Sequence, residues 1–166
     1  MKAVWRTLDR GLEGLVATIM AVLVLDVLWQ VFTRFVLRNP SAWTDELATF
    51  LLIWVGLLGA CVALKRRAHL GIDYFVAKAP PRMKKTLELL ALVLVALFAV
   101  LVLGCGGMAL VLRTLALDQV SPALGIKMGY VYLALPISGL FLFLYSVEAF
   151  IERSRTPDAD AQGGNG

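Results

Sequence analysis

Charged residues along this chain gather in short clusters, and the long stretches between the clusters carry almost none. Positions 47–64, 89–112 and 128–147 run for 18, 24 and 20 residues without Asp, Glu, Lys or Arg. Each is close to the ~20 apolar residues that cross a ~30 Å hydrocarbon core as an α-helix. A fourth stretch, 14–33, is equally long and carries one acid, Asp26, among Leu, Val, Ile, Met, Phe and Trp. The pattern predicts an all-α integral membrane protein with four transmembrane helices, over approximately 14–36, 43–64, 87–112 and 128–150. Together they form one membrane domain over residues 1–155.

Composition agrees with this pattern. Hydrophobic residues make up 60% of the 166 positions and charged ones 17%, with a mean hydropathy of +0.80. A water-facing surface needs far more charge than that. The net charge of +4 is explained by basic loops flanking membrane spans and does not call for nucleic acid. Twelve of the sixteen Lys and Arg residues lie before the first span, between the second and third, and after the fourth. By the positive-inside rule both termini are cytoplasmic in a bacterial-type inner membrane. The first span resembles a secretion signal in its basic start, but the apolar run is too long and no small-x-small site closes it, so an uncleaved anchor is expected.

The connecting segments add detail. Asn39-Pro40 reads as an N-cap followed by proline at the first helical position, so the second helix is expected to begin there, with Asp45 and Glu46 near its positive end. Trp43 falls at the depth of an interfacial aromatic, as Trp5 does on the other side. Ile72, Phe75, Val76 and Ala79 share one face of a short interfacial helix ended by Pro80-Pro81, and His69 and Asp73 lie four apart on it. Ser121-Pro122 and Gly125 make the last outer loop a turn or a short surface helix. Residues 156–166 are small, polar and Gly-rich, and are expected to form a disordered cytoplasmic tail.

Asp26 is the strongest polar anomaly, because a charged aspartate at mid-span costs roughly 2.5–3.5 kcal/mol on insertion scales. Gln30 and Thr33 follow it at helical spacing, with Thr18 two turns before, so one stripe of this helix is read as facing a partner. Gly56, Ala60 and Ala63 on the second span, and Gly104, Gly106 and Gly107 on the third, offer small-residue packing faces. Pro136, Ser138 and Gly139 are expected to kink the fourth span. One His and two separated Cys residues support neither a metal centre nor a redox relay, and no nucleophile, acid–base pair or phosphate loop is evident. No catalytic residue, cofactor or metal is therefore expected, and an enzyme is not. The uncharged runs supply no second acid for an ion pathway, which leaves a subunit as the first reading. An autonomous four-helix proton-coupled exporter using Asp26 is the alternative.

A set of short motifs sharpens the reading. Arg34-Phe35-Val36, Trp43-Thr44-Asp45-Glu46-Leu47-Ala48, Trp54-Val55-Gly56, Leu58-Gly59-Ala60 and Arg67-Ala68-His69-Leu70-Gly71-Ile72-Asp73 together resemble the small membrane subunit of tripartite ATP-independent periplasmic (TRAP) transporters. The specific part covers residues 34–73; the later spans match as apolar helices only. The resemblance implies pairing with a large multi-span permease that holds the solute and sodium sites, and a periplasmic solute-binding protein that delivers a carboxylate-type solute. It marks Trp43, Glu46, His69 and Asp73 as motif positions without giving any of them a catalytic role. Partner contacts are then expected through Asp26, Gln30, Gly56 and Ala60 within the membrane, and through Arg34, Arg38, Trp43, Asp45 and Glu46 at the periplasmic boundary.

Overall fold

The computed structural model describes residues 2–38, 41–66 and 81–155. His69, Asp73, the expected interfacial helix at 72–79 and the tail at 156–166 lie outside them, as do Asn39 and Pro40. Within them the chain is helical: α1 is Lys2–Phe35, α2 Ala42–Lys65, α3 Pro81–Phe98, α4 Gly107–Ala116, α5 Met128–Tyr132 and α6 Ala134–Arg155. An eight-residue π-helix, Ala99–Gly106, joins α3 to α4 without a break. Among the described residues four stretches are long and apolar enough to cross a membrane: Leu8–Phe35, Ala42–Lys65, Thr86–Ala116 and Met128–Ser154.

The spans stand in a row. α1 packs on α2, α2 on α6, and α6 on α3 and the π segment. Burial follows that order, with 6% of the apolar window buried in the first span and 11% in the third, against 17% and 33% in the second and fourth. A row leaves two broad faces and two edges to be covered by lipid or another protein, which is why Leu25, Phe35, Leu52 and Leu112 are all more than half exposed.

α1 attaches through a single seam. Leu12, Val16, Ile19, Leu23, Asp26, Gln30 and Thr33 are its inward-facing positions, and their alternating spacing of four and three is that of a helix lying along one neighbour. Charged residues close the seam at one end. Lys65 Nζ lies 2.5 Å from Glu148 Oε2 and 3.5 Å from Asp9 Oδ2, Tyr145 donates to Asp9 at 2.9 Å, and Arg66 pairs with Glu13 at 3.0 Å. Arg153 and Glu88 join α6 to α3 at the same end. Asp9, Glu88, Glu148 and Arg153, beyond the apolar runs, thus meet partners on other helices, and α1 and α6 extend further than their apolar stretches.

At the opposite end, here the loop end, α2 starts slightly later than its Asn-Pro signal suggests. Its N-cap is Ser41, in an extended conformation, and the Thr44 hydroxyl donates to the Ser41 carbonyl at 2.8 Å. α4 closes with Asp118 at a positive φ of 48°. The segment from 119 to 128 then folds back as a small hairpin: Val120 and Lys127 form an antiparallel bridge, and Ser121 N–H donates to Ile126 at 2.9 Å. Gly125, at φ 66°, supplies the left-handed turn that a side chain would resist. The loop is therefore a turn and not a surface helix. Lys127 pairs with Asp118 at 2.8 Å, and this neighbouring carboxylate holds the ammonium above the ordinary lysine range.

The fourth span breaks at Leu133, between α5 and α6, where proline chemistry places it. Pro136 has no N–H for the carbonyl four residues back, and its ring crowds that carbonyl. Next to this break α6 crosses the π segment at backbone distance. A Cβ added to Gly139 would lie 2.9 Å from the Ala99 carbonyl oxygen and 2.9 Å from Leu103 Cβ. Gly139→Ala should therefore lower stability by about 1–3 kcal/mol through overpacking, read as a lower unfolding midpoint in detergent. Gly56→Ala, where nothing lies within 4 Å, should leave that midpoint unchanged.

Candidate partner-docking surface

The loop end concentrates the polar groups that a partner outside the membrane could reach. Glu46, in the second turn of α2, points into the hairpin. Its carboxylate accepts the Ser121 hydroxyl and the backbone N–H groups of Ala123 (3.2 Å) and Leu124 (3.2 Å). The Ser121 hydroxyl oxygen also accepts the Leu124 N–H at 3.2 Å. A turn that begins Ser-Pro presents successive backbone donors on one side, which is an anion-holding arrangement, and here the anion is a side chain of the same protein. One carboxylate thereby fixes the position of the loop on α2.

Beside it, Gln30 Nε2 donates to Asp45 Oδ1 at 2.6 Å and ties the end of α1 to the start of α2. An open hollow of about 430 Å³ lies between α2 and the hairpin, walled by Asp45, Glu46, Thr49, Phe50, Ser121 and Met128. Arg34, Arg38 and Trp43 stand exposed around this end. Among the described residues no group of three or more His, Cys, Asp or Glu side chains comes together to hold a metal.

A family model described as "Tripartite ATP-independent periplasmic transporters, DctQ component" matches residues 16–156, most of the chain. This chain belongs to that family. The DctQ-type chain is 33% identical over 138 residues to the sialic acid TRAP transporter small permease protein SiaQ of Vibrio cholerae, covering 82% of itself and 77% of that protein. It is 31% identical to the C4-dicarboxylate TRAP transporter small permease protein DctQ of the same species, over 55% of this chain and 39% of that one. It is 26% identical to the sialic acid TRAP transporter permease protein SiaT of Haemophilus influenzae; there the match takes in 72% of this chain but 19% of a much longer one. As a component of a tripartite transporter with four spans, it is a multi-pass protein of the inner membrane.

In this DctQ-type chain the described residues singled out from the sequence separate into two groups, with one residue apart from both. Gln30, Asp45 and Glu46 come together at the loop end, with Arg34, Arg38 and Trp43 exposed nearby. Gly56 and Ala60 lie on an open face of α2, available for close approach. Asp26 belongs to neither group. It is 8% exposed, in the seam against α2 of its own chain, and its Oδ2 has no hydrogen-bond partner. Within its own chain the inward heptad of α1 carries Asp26 toward α2. Thr18 leaves the expected stripe, being exposed and bonded to the Gly14 carbonyl at 2.8 Å. Glu46 is not presented outward as an isolated charge, because the loop amides take up its carboxylate.

Ser121 and the hairpin amides were not singled out as site groups from the sequence, although Ser-Pro four residues before a glycine was the available sign of a turn with free donors. The close approach at Gly107 agrees with its place on a small-residue face, whereas the contacts of Gly129 and Gly139 depend on neighbours distant in sequence and left no sign there. Glu46→Ala should strand the Ser121 hydroxyl proton and the Ala123 amide and leave Leu124 held by Ser121 alone, costing about 1–3 kcal/mol locally. Amide exchange at Ala123 and Leu124 should accelerate while exchange in the middle of α2 stays as it was.

Proposed function

We propose that this chain is the scaffold subunit of a sodium-driven TRAP transporter for a carboxylate-type solute, bracing the large permease and holding part of the surface on which the periplasmic solute-binding protein docks. The observation that carries this reading is the row of four spans, whose two faces and exposed α1 leave most of its apolar surface for another membrane chain. A relative in which the matching segment forms 19% of one permease chain supports a place directly beside a large subunit. The names of the relatives, for sialic acid and C4-dicarboxylates, support a carboxylate solute. Sodium drive follows from the family reading and would be supplied by the large permease.

In this proposal the loop end faces the periplasm and both termini face the cytoplasm, in accord with the basic residues at the other end of the row. Arg34, Arg38, Trp43 and Asp45 then meet the solute-binding protein, while Glu46 fixes the loop beside them. The alternative, an autonomous exporter driven by Asp26, draws on the unpaired Oδ2 atom. Its difficulty is that Asp26 lies in a seam and lines neither the 430 Å³ hollow nor the larger apolar groove between α1, α2 and α6.

Tagged chain extracted in mild detergent should bring down a large hydrophobic permease, and liposomes containing both membrane subunits and the binding protein should take up solute only with an inward sodium gradient. Glu46→Arg should cut that uptake severalfold, with the membrane complex still assembled. Unchanged uptake would show that docking does not need the loop that Glu46 holds. Liposomes holding this chain alone should move no solute; proton-coupled efflux lost in Asp26→Asn would establish the exporter instead.

A further inference from the structure

The inward-facing residues of the third span are Glu88, Leu92, Val95, Ala99, Leu103, Gly107, Val111 and Thr114. From Val95 to Val111 they recur every four residues. On a regular helix of 3.6 residues per turn each such step overshoots by about 40°, so four of them would carry Val111 away from α6. The π-helix Ala99–Gly106 removes this drift, because its wider turns accommodate an extra residue. Striking out one residue between 99 and 103 would leave steps of four, three, four, three, four, four and three, an average close to the ~3.6 residues per turn of a regular helix. The third span therefore holds one residue more than a regular helix of its height.

This surplus sits opposite a second interruption. α6 begins just beyond the break at Leu133, and Pro136 lies against Gly107, whose added Cβ would be 3.2 Å from Pro136 Cδ and 2.7 Å from Leu135 Cβ. One turn further, Gly139 abuts Ala99 and Leu103. Two adjacent spans are thus interrupted at one level, where they meet in backbone contact through glycines, and Val100, Leu101 and Val102 on the far side are exposed. Beyond this level α4, the hairpin and α5 form a unit. Gln119 N–H bonds to Thr114, and Gly129 lies under Leu115, where an added Cβ would collide with Leu115 Cγ. α2 touches α5 only lightly, so its main hold on this unit is the Glu46 carboxylate.

We infer that residues 107–132 form a cap that pivots about a hinge line drawn through the π segment and the Leu133–Pro136 break, and that Glu46 is its latch. With the latch closed the cap rests on α2. With it open, the loop swings while α3 and α6, joined through Arg153 and Glu88, keep their places. The inference does not depend on what the loop docks.

The test uses the full chain with its copurified partner in lipid nanodiscs, with Cys61→Ala and Cys105→Ala and spin labels on Leu52→Cys and Val120→Cys, both exposed positions. Glu46→Ala should broaden the inter-label distance distribution about twofold. Deleting Val102 in that background should narrow it again by converting the π turn to a regular one in register. An unchanged width in Glu46→Ala, or a width that the deletion leaves alone, would overturn the hinge. If the deletion variant fails to assemble, amide exchange in the unaltered protein decides: the hinge requires residues 99–106 to exchange at least about tenfold faster than 50–60 of α2, and equal protection would refute it.

Discussion

Inside a bilayer, helices gain little from hiding apolar surface from one another, because lipid tails are as apolar as Leu. What joins them must be close backbone approach and a few polar contacts, and in this chain the two are separated in space. Backbone approach dominates between the third and fourth spans, where Gly107 and Gly139 let main chains touch. Between α1 and α2 polar contacts mark the two ends of a seam packed with Leu12, Val16 and Ile19, tied by Gln30 with Asp45 and by Lys65 with Asp9. Partly exposed ion pairs of this kind contribute at most about 1 kcal/mol each, so they set the register of the row more than they hold it together.

That division explains the shape. A compact bundle needs each helix to offer two contacting faces, and α1 offers one. Its outer-facing positions carry Leu25, Leu28, Trp29 and Phe32, all exposed, whose bulk prevents the close approach that glycine permits elsewhere. The result is an extended slab with the fourth span near its middle, suited to lying against a larger neighbour. Asp26 fits the same account: its heptad position faces α2, where its carboxyl is enclosed without a partner for Oδ2.

The spans could be read from the sequence because lipid imposes a one-dimensional rule, that a run long enough and free of charge must cross. The helix ends could not, because Asp9, Glu13 and Glu148 meet Lys65 and Arg66 of another segment, a relation between distant positions. Glu46 was recognisable as important from its Trp-x-x-Glu setting, but its direction was not, since the donors that turn it inward belong to a hairpin 75 residues later. The π segment left a trace in the sequence, the repeated spacing of four from Val95 to Val111. Reading that trace required knowing which residues face α6.

The single seam of α1 bears on how the protein survives in a cell. A span with 6% of its apolar window buried within its own chain draws most of its packing from whatever lies alongside, so its folded population is linked by mass action to that companion. Synthesised in excess, the surplus copies would carry a weakly moored first helix and be the ones cleared by membrane quality control. Matched production of the two subunits would then be enforced by degradation, with no need for balanced translation.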